Sequence, residues 1–184
     1  MRVALVTSLA LALSAPARAR DFRFDMGGEE TPLAPGFVRV TAATTLDQSP
    51  DFGWAQKPRM VIFRSGPTSP YYADSNQSPE YALYADGLVS IEENAFEFNV
   101  PSGRYKVTAV IGDLTPGEDR PGNSIRANGV LVVADAFTDG EVKAFTFPVD
   151  AREGKISLVF RADSRQKYVT VEAVTAEPLD PGQP

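Results

Sequence analysis

Downstream of Phe22, apolar and polar residues alternate with a period of two along most of the chain, and each run is bounded by Gly, Pro, Asn or Asp. Successive side chains of a strand point to opposite faces, so this pattern predicts half-buried β-strands. In "FEFNVPSGRYKVTAVIG", Phe96, Phe98 and Val100 share one face and Glu97 and Asn99 the other; Tyr105, Val107, Ala109 and Ile111 then alternate with Lys106 and Thr108. The Pro-Ser-Gly between the halves predicts a turn, and the stretch reads as an antiparallel hairpin. "SIRANGVLVV" sets Asn128-Gly129 between two apolar arms, a strong hairpin signal because both residues accept positive φ. "KAFTFPV" and "KISLVF" flank the turn "DAREG", with Phe145, Phe147 and Val149 set against Ile156, Leu158 and Phe160, and "YVTVEAV" supplies a last strand. With "DFRFDMGG" and "GFVRVT" near the start, eight to nine strands predict an all-β fold, an antiparallel β-sandwich or jelly roll.

Two regions depart from this pattern. Between Asp47 and Asp86 lie Pro50, Pro58, Pro67, Pro70 and Pro79 with Gly53 and Gly66, which predicts long loops interrupted by one short strand at "MVIF". Residues 114–123, "LTPGEDRPGN", predict a second loop, and residues 177–184 have linker composition and are expected to be disordered. The sandwich is accordingly expected over residues 20–176.

The first nineteen residues do not alternate. Arg2, the apolar run "VALVTSLALAL" and the small-x-small "ARA" ending at Ala19 match a secretory signal peptide, and the run is too short to span a bilayer. The expectation is an exported protein, periplasmic or extracellular, without a membrane anchor. Loss of Arg2 and Arg18 leaves 16 basic against the 24 acidic residues of the chain, a net charge near −8. Affinity for phosphate backbones comes mainly from clustered Lys and Arg, so nucleic acid is not an expected partner.

The chain contains no His and no Cys. That removes the Ser-His-Asp triad, Cys-His nucleophiles, ordinary zinc or copper sites and any disulfide framework, so the core alone must hold the fold. A two-carboxylate glycosidase needs neither residue, but no acidic pair stands in a recognisable motif. A structural calcium on Asp25, Asp113, Glu118 or Asp119 is conceivable because hard cations take carboxylate oxygens, although no calcium-loop signature is present and no cofactor is expected.

The aromatic residues are more informative. Most of the eleven Phe fall on inward strand faces, whereas Tyr71, Tyr72, Tyr81 and Tyr84 share the long loop region with the single Trp, Trp54. Flat rings suit the C–H face of a sugar, whose hydroxyls need polar partners nearby. The candidate carbohydrate-binding set is therefore Trp54, Tyr71, Tyr72 and Tyr84 for stacking, with Asp74, Asn76 and Asp86 for hydroxyls; Gln77 lies beside them. The alternative is that the tyrosines anchor the loop onto the sandwich and Trp54 caps its core.

Four ordered elements carry a resemblance. Phe24, Asp25, Gly27 and Gly28 open the first; Ala34, Pro35, Gly36, Phe37 and Val40 form the second; Phe52, Gly53 and Trp54 the third; Val100, Pro101, Gly103, Tyr105, Val107, Gly112 and Asp113 the fourth. This series resembles the galactose-binding-like β-sandwich at the N-terminus of rhamnogalacturonan acetylesterase-like SGNH esterases, also found in some β-agarases and rhamnogalacturonan lyases. The segment between Trp54 and Tyr84 is longer and more aromatic than that pattern, and the 184 residues hold no esterase or lyase sequence, so the module is expected either to stand alone or to be cut from a longer chain. The resemblance implies a non-catalytic accessory module whose partner is a plant or algal polysaccharide or oligosaccharide, with a catalytic domain as a further candidate partner. A structural or protein-interaction sandwich is the rival reading.

Overall fold

The period-two runs become strands of a two-layer sandwich in the computed structural model, which describes residues 20–63, 83, 86–91, 93–112, 122–138, 141–162 and 168–180. Those residues form β1 (Phe22–Met26), β2 (Val38–Val40), β3 (Phe52–Trp54), β4 (Met60–Phe63), β5 (Asp86–Ile91), β6 (Glu93–Asn99), β7 (Gly103–Gly112), β8 (Asn123–Ala127), β9 (Val130–Ala136), β10 (Val142–Ala151), β11 (Lys155–Ala162) and β12 (Tyr168–Pro178). The first sheet has the order β10-β7-β12-β1-β2, with β5 also on β12 and β4 on β5; the second runs β3-β6-β11-β8-β9. Inward faces of both sheets supply the core, in which Phe24, Trp54, Phe96, Phe98 and Phe160 are joined by ring contacts with centroids 5.1 to 6.2 Å apart.

The last strand organises the first sheet. One edge of β12 pairs with β7 from Val171 to Pro178, while the other is shared end to end, Tyr168 to Val171 by β5 and Ala173 to Ala176 by β1. At the junction the β7 ladder is irregular between Val171 and Ala173. A bulge shifts the side-chain phase, so Val169 and Val171 before it and Val174 and Ala176 after it all reach the core. Glu172 is left at the shift, fully buried. β12 runs two residues beyond the expected boundary, held by Lys106 Nζ to Glu177 Oε2 at 2.6 Å and by the Leu179 N–H to Arg104 O.

The hairpin expected at Pro-Ser-Gly is not one. β6 lies in the second sheet and β7 in the first, so the link at Pro101–Ser102 arches from one layer to the other. The same holds for "DAREG": β10 and β11 sit in opposite sheets, and their inward residues face each other across the core. Alternation reports which face is buried, not which neighbour completes the ladder, and a hairpin and an arch share it. Tyr105 fixes the first arch by donating its hydroxyl to Pro101 O at 2.9 Å. By contrast, Asn128-Gly129 does close the β8–β9 hairpin, with φ of 46° and 82°.

Three-residue β3 and the Asp-Gly start of β5 fall in the stretch expected to be mostly loop. β3 is capped on its open side by residues 44–46: Trp54 N donates to Thr44 O at 2.9 Å and Leu46 N to Trp54 O at 3.0 Å. Among the described residues no helix is long and apolar enough to cross a membrane.

Candidate functional site

Of the seven candidate sugar contacts, only Trp54 and Asp86 are described; Tyr71, Tyr72, Asp74, Asn76 and Tyr84 lie outside the described residues. Both described members face inward. Trp54 is 0 % exposed, 5.2 Å from Phe96 and 6.2 Å from Phe160 between ring centroids, and its buried Nε1 has no hydrogen-bond partner among the described residues. In this position it caps the core and offers no stacking face, because its ring is enclosed against Phe96 and Phe160. Asp86 is likewise 0 % exposed, and its Oδ2 accepts from the Gly28 N–H at 2.8 Å. A carboxylate enclosed in this way anchors backbone instead of meeting solvent-borne hydroxyls.

Asp86 belongs to a polar knot where β1 ends and β5 begins. Asp25 Oδ2 accepts from the Ala34 N–H at 2.8 Å. Arg39 on β2 donates Nη1 to Gly28 O and to Thr31 Oγ1 at 2.9 Å, and Nη2 to Thr31 O at 2.6 Å. Thr31 in turn donates to Gly28 O at 2.9 Å. Together these groups tie the turn over residues 28–34 to three strands. Burial pushes the Asp25 carboxyl up to about 6; the Ala34 N–H opposes this, the Asp86 carboxylate adds to it and Arg39 offsets part of it. The knot satisfies backbone donors and holds its loop, and it exposes no carboxylate pair to a substrate. Among the described residues no cluster of three acidic side chains is disposed to hold a metal ion. Of the four calcium candidates, Asp25 is engaged in this knot, and Asp113, Glu118 and Asp119 lie outside the described residues.

Among the clefts along the sandwich, two bear on a ligand site. One, of about 520 Å³, lies where β1 and β2 face β3 and β6; Phe22, Phe24, Phe52 and Phe98 line it, and Asp51 and Asn99 stand among its polar residues. Phe24 and Phe98 are buried, while Phe22 and Phe52 are only partly covered. The other, of about 630 Å³, lies between β9 and β10 and is walled by Val130, Val132 and Pro148 with Arg152, Glu153 and Lys155, without an aromatic ring. The first cleft escapes the sequence reading because Phe22 and Phe52 carry inward-facing strand parity. The usable signal is that each begins its strand directly after an aspartate, where the opposite sheet no longer covers the ring.

The fold recurs in larger proteins. Protein YxiM from Bacillus subtilis superposes with a TM-score of 0.63 at 21% identity over 88% of this chain and 40% of that one. A beta-glucuronidase from Bacteroides uniformis gives 0.63 at 11% identity, over 88% of this chain and 18% of the enzyme. The ANX2 ectodomain from Arabidopsis thaliana gives 0.63 at 12% identity, over 89% of this chain and 52% of the ectodomain. This chain thus spans well under two thirds of each of these structures. No curated protein matches it. Residues 22–176, almost the whole sandwich from β1 to β12, match one family description, and the chain belongs to the beta-agarase/YXIM esterase-like, galactose-binding domain-like family.

Proposed function

We propose that the protein is an exported, non-catalytic carbohydrate-associated module that binds a plant or algal polysaccharide. The observation that carries this reading is the family match across residues 22–176, a family whose description couples a galactose-binding-like domain to agarase and esterase chains. The missing His and Cys narrow the catalytic alternatives, and the two acidic groups of the knot are committed to backbone. Export rests on the leader-like pattern of residues 1–19. An open site of this kind binds few sugar units, which puts affinity in roughly the millimolar to micromolar range.

Isothermal titration and affinity electrophoresis against pectin, agarose and galactan test the reading. Heat and retarded migration with at least one polymer are expected; silence with all three overturns it. A second reading, a protein-interaction sandwich serving a partner domain, is favoured by one observation: Trp54 and Asp86, the two described members of the expected sugar set, are both buried. Co-migration with a catalytic domain and no polysaccharide binding would decide for it.

A further inference from the structure

We propose that the cleft between β1 and β3 is a subsite for one neutral hexopyranose unit of an oligosaccharide, with Phe52 against its C–H face and Asp51 and Asn99 on its hydroxyls. The proposal rests on the carbohydrate reading above and gives it a location and a ligand class.

The cleft has the size and composition such a ligand needs. Its volume of about 520 Å³ falls within the range of small-molecule sites, roughly 300–1,000 Å³. Buried Phe24 and Phe98 make an apolar floor: Phe24 lies 5.1 Å from Phe98 and from Phe52, and Phe22 lies 5.9 Å from Phe98, between ring centroids, so the aromatic surface is continuous. Phe22 and Phe52 extend that surface to the mouth, where neither is fully covered. An aromatic ring face accepts a flat group with polar edges; the Phe22 face is taken by the Arg20 guanidinium, whose carbon lies 5.8 Å from its centroid, which leaves Phe52 as the ring a sugar meets.

Polar groups with spare capacity stand beside the rings. The Asp51 carboxylate is exposed and has no ion-pair or hydrogen-bond partner among the described residues, while its backbone is fixed by the Asn99 N–H donating to Asp51 O at 2.8 Å. Asn99 donates Nδ2 to Pro50 O at 3.2 Å, which orients the amide and leaves its Oδ1 to accept. A carboxylate and an amide oxygen at the mouth of one cleft can both accept from sugar hydroxyls.

Charge selects the class. Arg20, Asp21, Arg23 and Asp51 all line the cleft and sum to zero, and Arg23 is already paired to Asp21 at 3.2 Å. That leaves the Arg20 guanidinium and the Asp51 carboxylate as opposite charges, so the side chains give the cleft no net attraction for a uronate, and a neutral sugar fits.

The test is calorimetric titration of the protein and of the variants D51A, N99A and F52L with galactotetraose, cellotetraose and tetragalacturonate. The first two variants alter exposed side chains, and the third keeps apolar bulk, so folding is preserved and circular dichroism verifies it. At least one neutral tetrasaccharide should bind, D51A and F52L should each weaken it by roughly tenfold, and tetragalacturonate should bind less tightly. Neutral binding that survives all three substitutions within twofold overturns the subsite and leaves the carbohydrate reading standing. Tighter binding of tetragalacturonate overturns the ligand class, and no binding of any tetrasaccharide or polymer overturns both.

Discussion

Gly27 leaves open the space that the Asp86 carboxylate fills: a Cβ at residue 27 would lie 1.7 Å from Asp86 Oδ2 and 2.4 Å from its Cγ. Gly27 does not have a positive φ, so alanine there is conformationally acceptable and the conflict is purely one of volume. Gly27→Ala should destabilise the fold by about 1–3 kcal/mol through overpacking, read as a lower denaturation midpoint at unchanged m. Because the clash is with one side chain, G27A should cost measurably less in a D86A background, a coupling that a double-mutant cycle would resolve.

Asp25 makes stability depend on pH in the direction opposite to a salt-bridged carboxylate. Its pKa rises from 3.8 to about 6 on folding, so the folded state binds more protons between those values, and stability falls as pH rises through that window. The loss is no more than about 3 kcal/mol at about 1.4 kcal/mol per unit. Asp25→Asn retains an acceptor for the Ala34 N–H but cannot ionise. Urea titrations from pH 4 to 7 should show the stability of D25N relative to the parent increasing with pH; a constant difference would refute the assignment.

Arg39 reaches Gly28 O and two oxygens of Thr31 with its two terminal guanidinium nitrogens. A lysine ammonium cannot reproduce that fork, so Arg39→Lys should behave as a loss of two of these bonds, about 1–3 kcal/mol by thermal or chemical unfolding. Amide exchange in residues 28–34 should accelerate more than in β6 or β11.

Asn128 serves the β8–β9 hairpin twice. It occupies φ 46°, and its side chain accepts from Ser157 N at 2.8 Å and donates to Asp150 O at 3.0 Å. Asn128→Gly keeps the turn and loses the side-chain bonds, at about 1 kcal/mol; Asn128→Ala loses both, at about 2–3 kcal/mol. Equal costs in a melting comparison would mean that the backbone conformation contributes nothing.

The sandwich was legible in the sequence because inward strand parity is a one-dimensional signal: Phe96, Phe98, Tyr105, Val107 and Ile111 alternate as expected and all reach the core. Pairing was less legible. Asn128-Gly129 announces its hairpin through a backbone requirement peculiar to those residues, whereas Pro101–Gly103 serves an arch or a hairpin equally well. β5 escaped because Val89 and Ser90 are both buried, which erases alternation. Trp54 and Asp86 looked like site residues from their company of prolines and tyrosines, but composition reports neighbours along the chain. Here the decisive neighbours, Phe96, Phe160 and Gly28, come from elsewhere in the sequence.

The position of β12 sets the order in which the molecule can assemble. It is the last strand in the sequence, yet it is the strip on which β7, β1 and β5 are all mounted. Until residues 168–178 are available, β1 has only the short β2 beside it, β5 only β4 and β7 only β10, so the first sheet exists as separate fragments. Its closure joins Phe22 to Ala176, nearly the full length of the chain. Such non-local pairing places folding in the slow, millisecond-to-second regime of β-sandwiches, and it makes completion of the C-terminal strand the event that commits the chain to its native state.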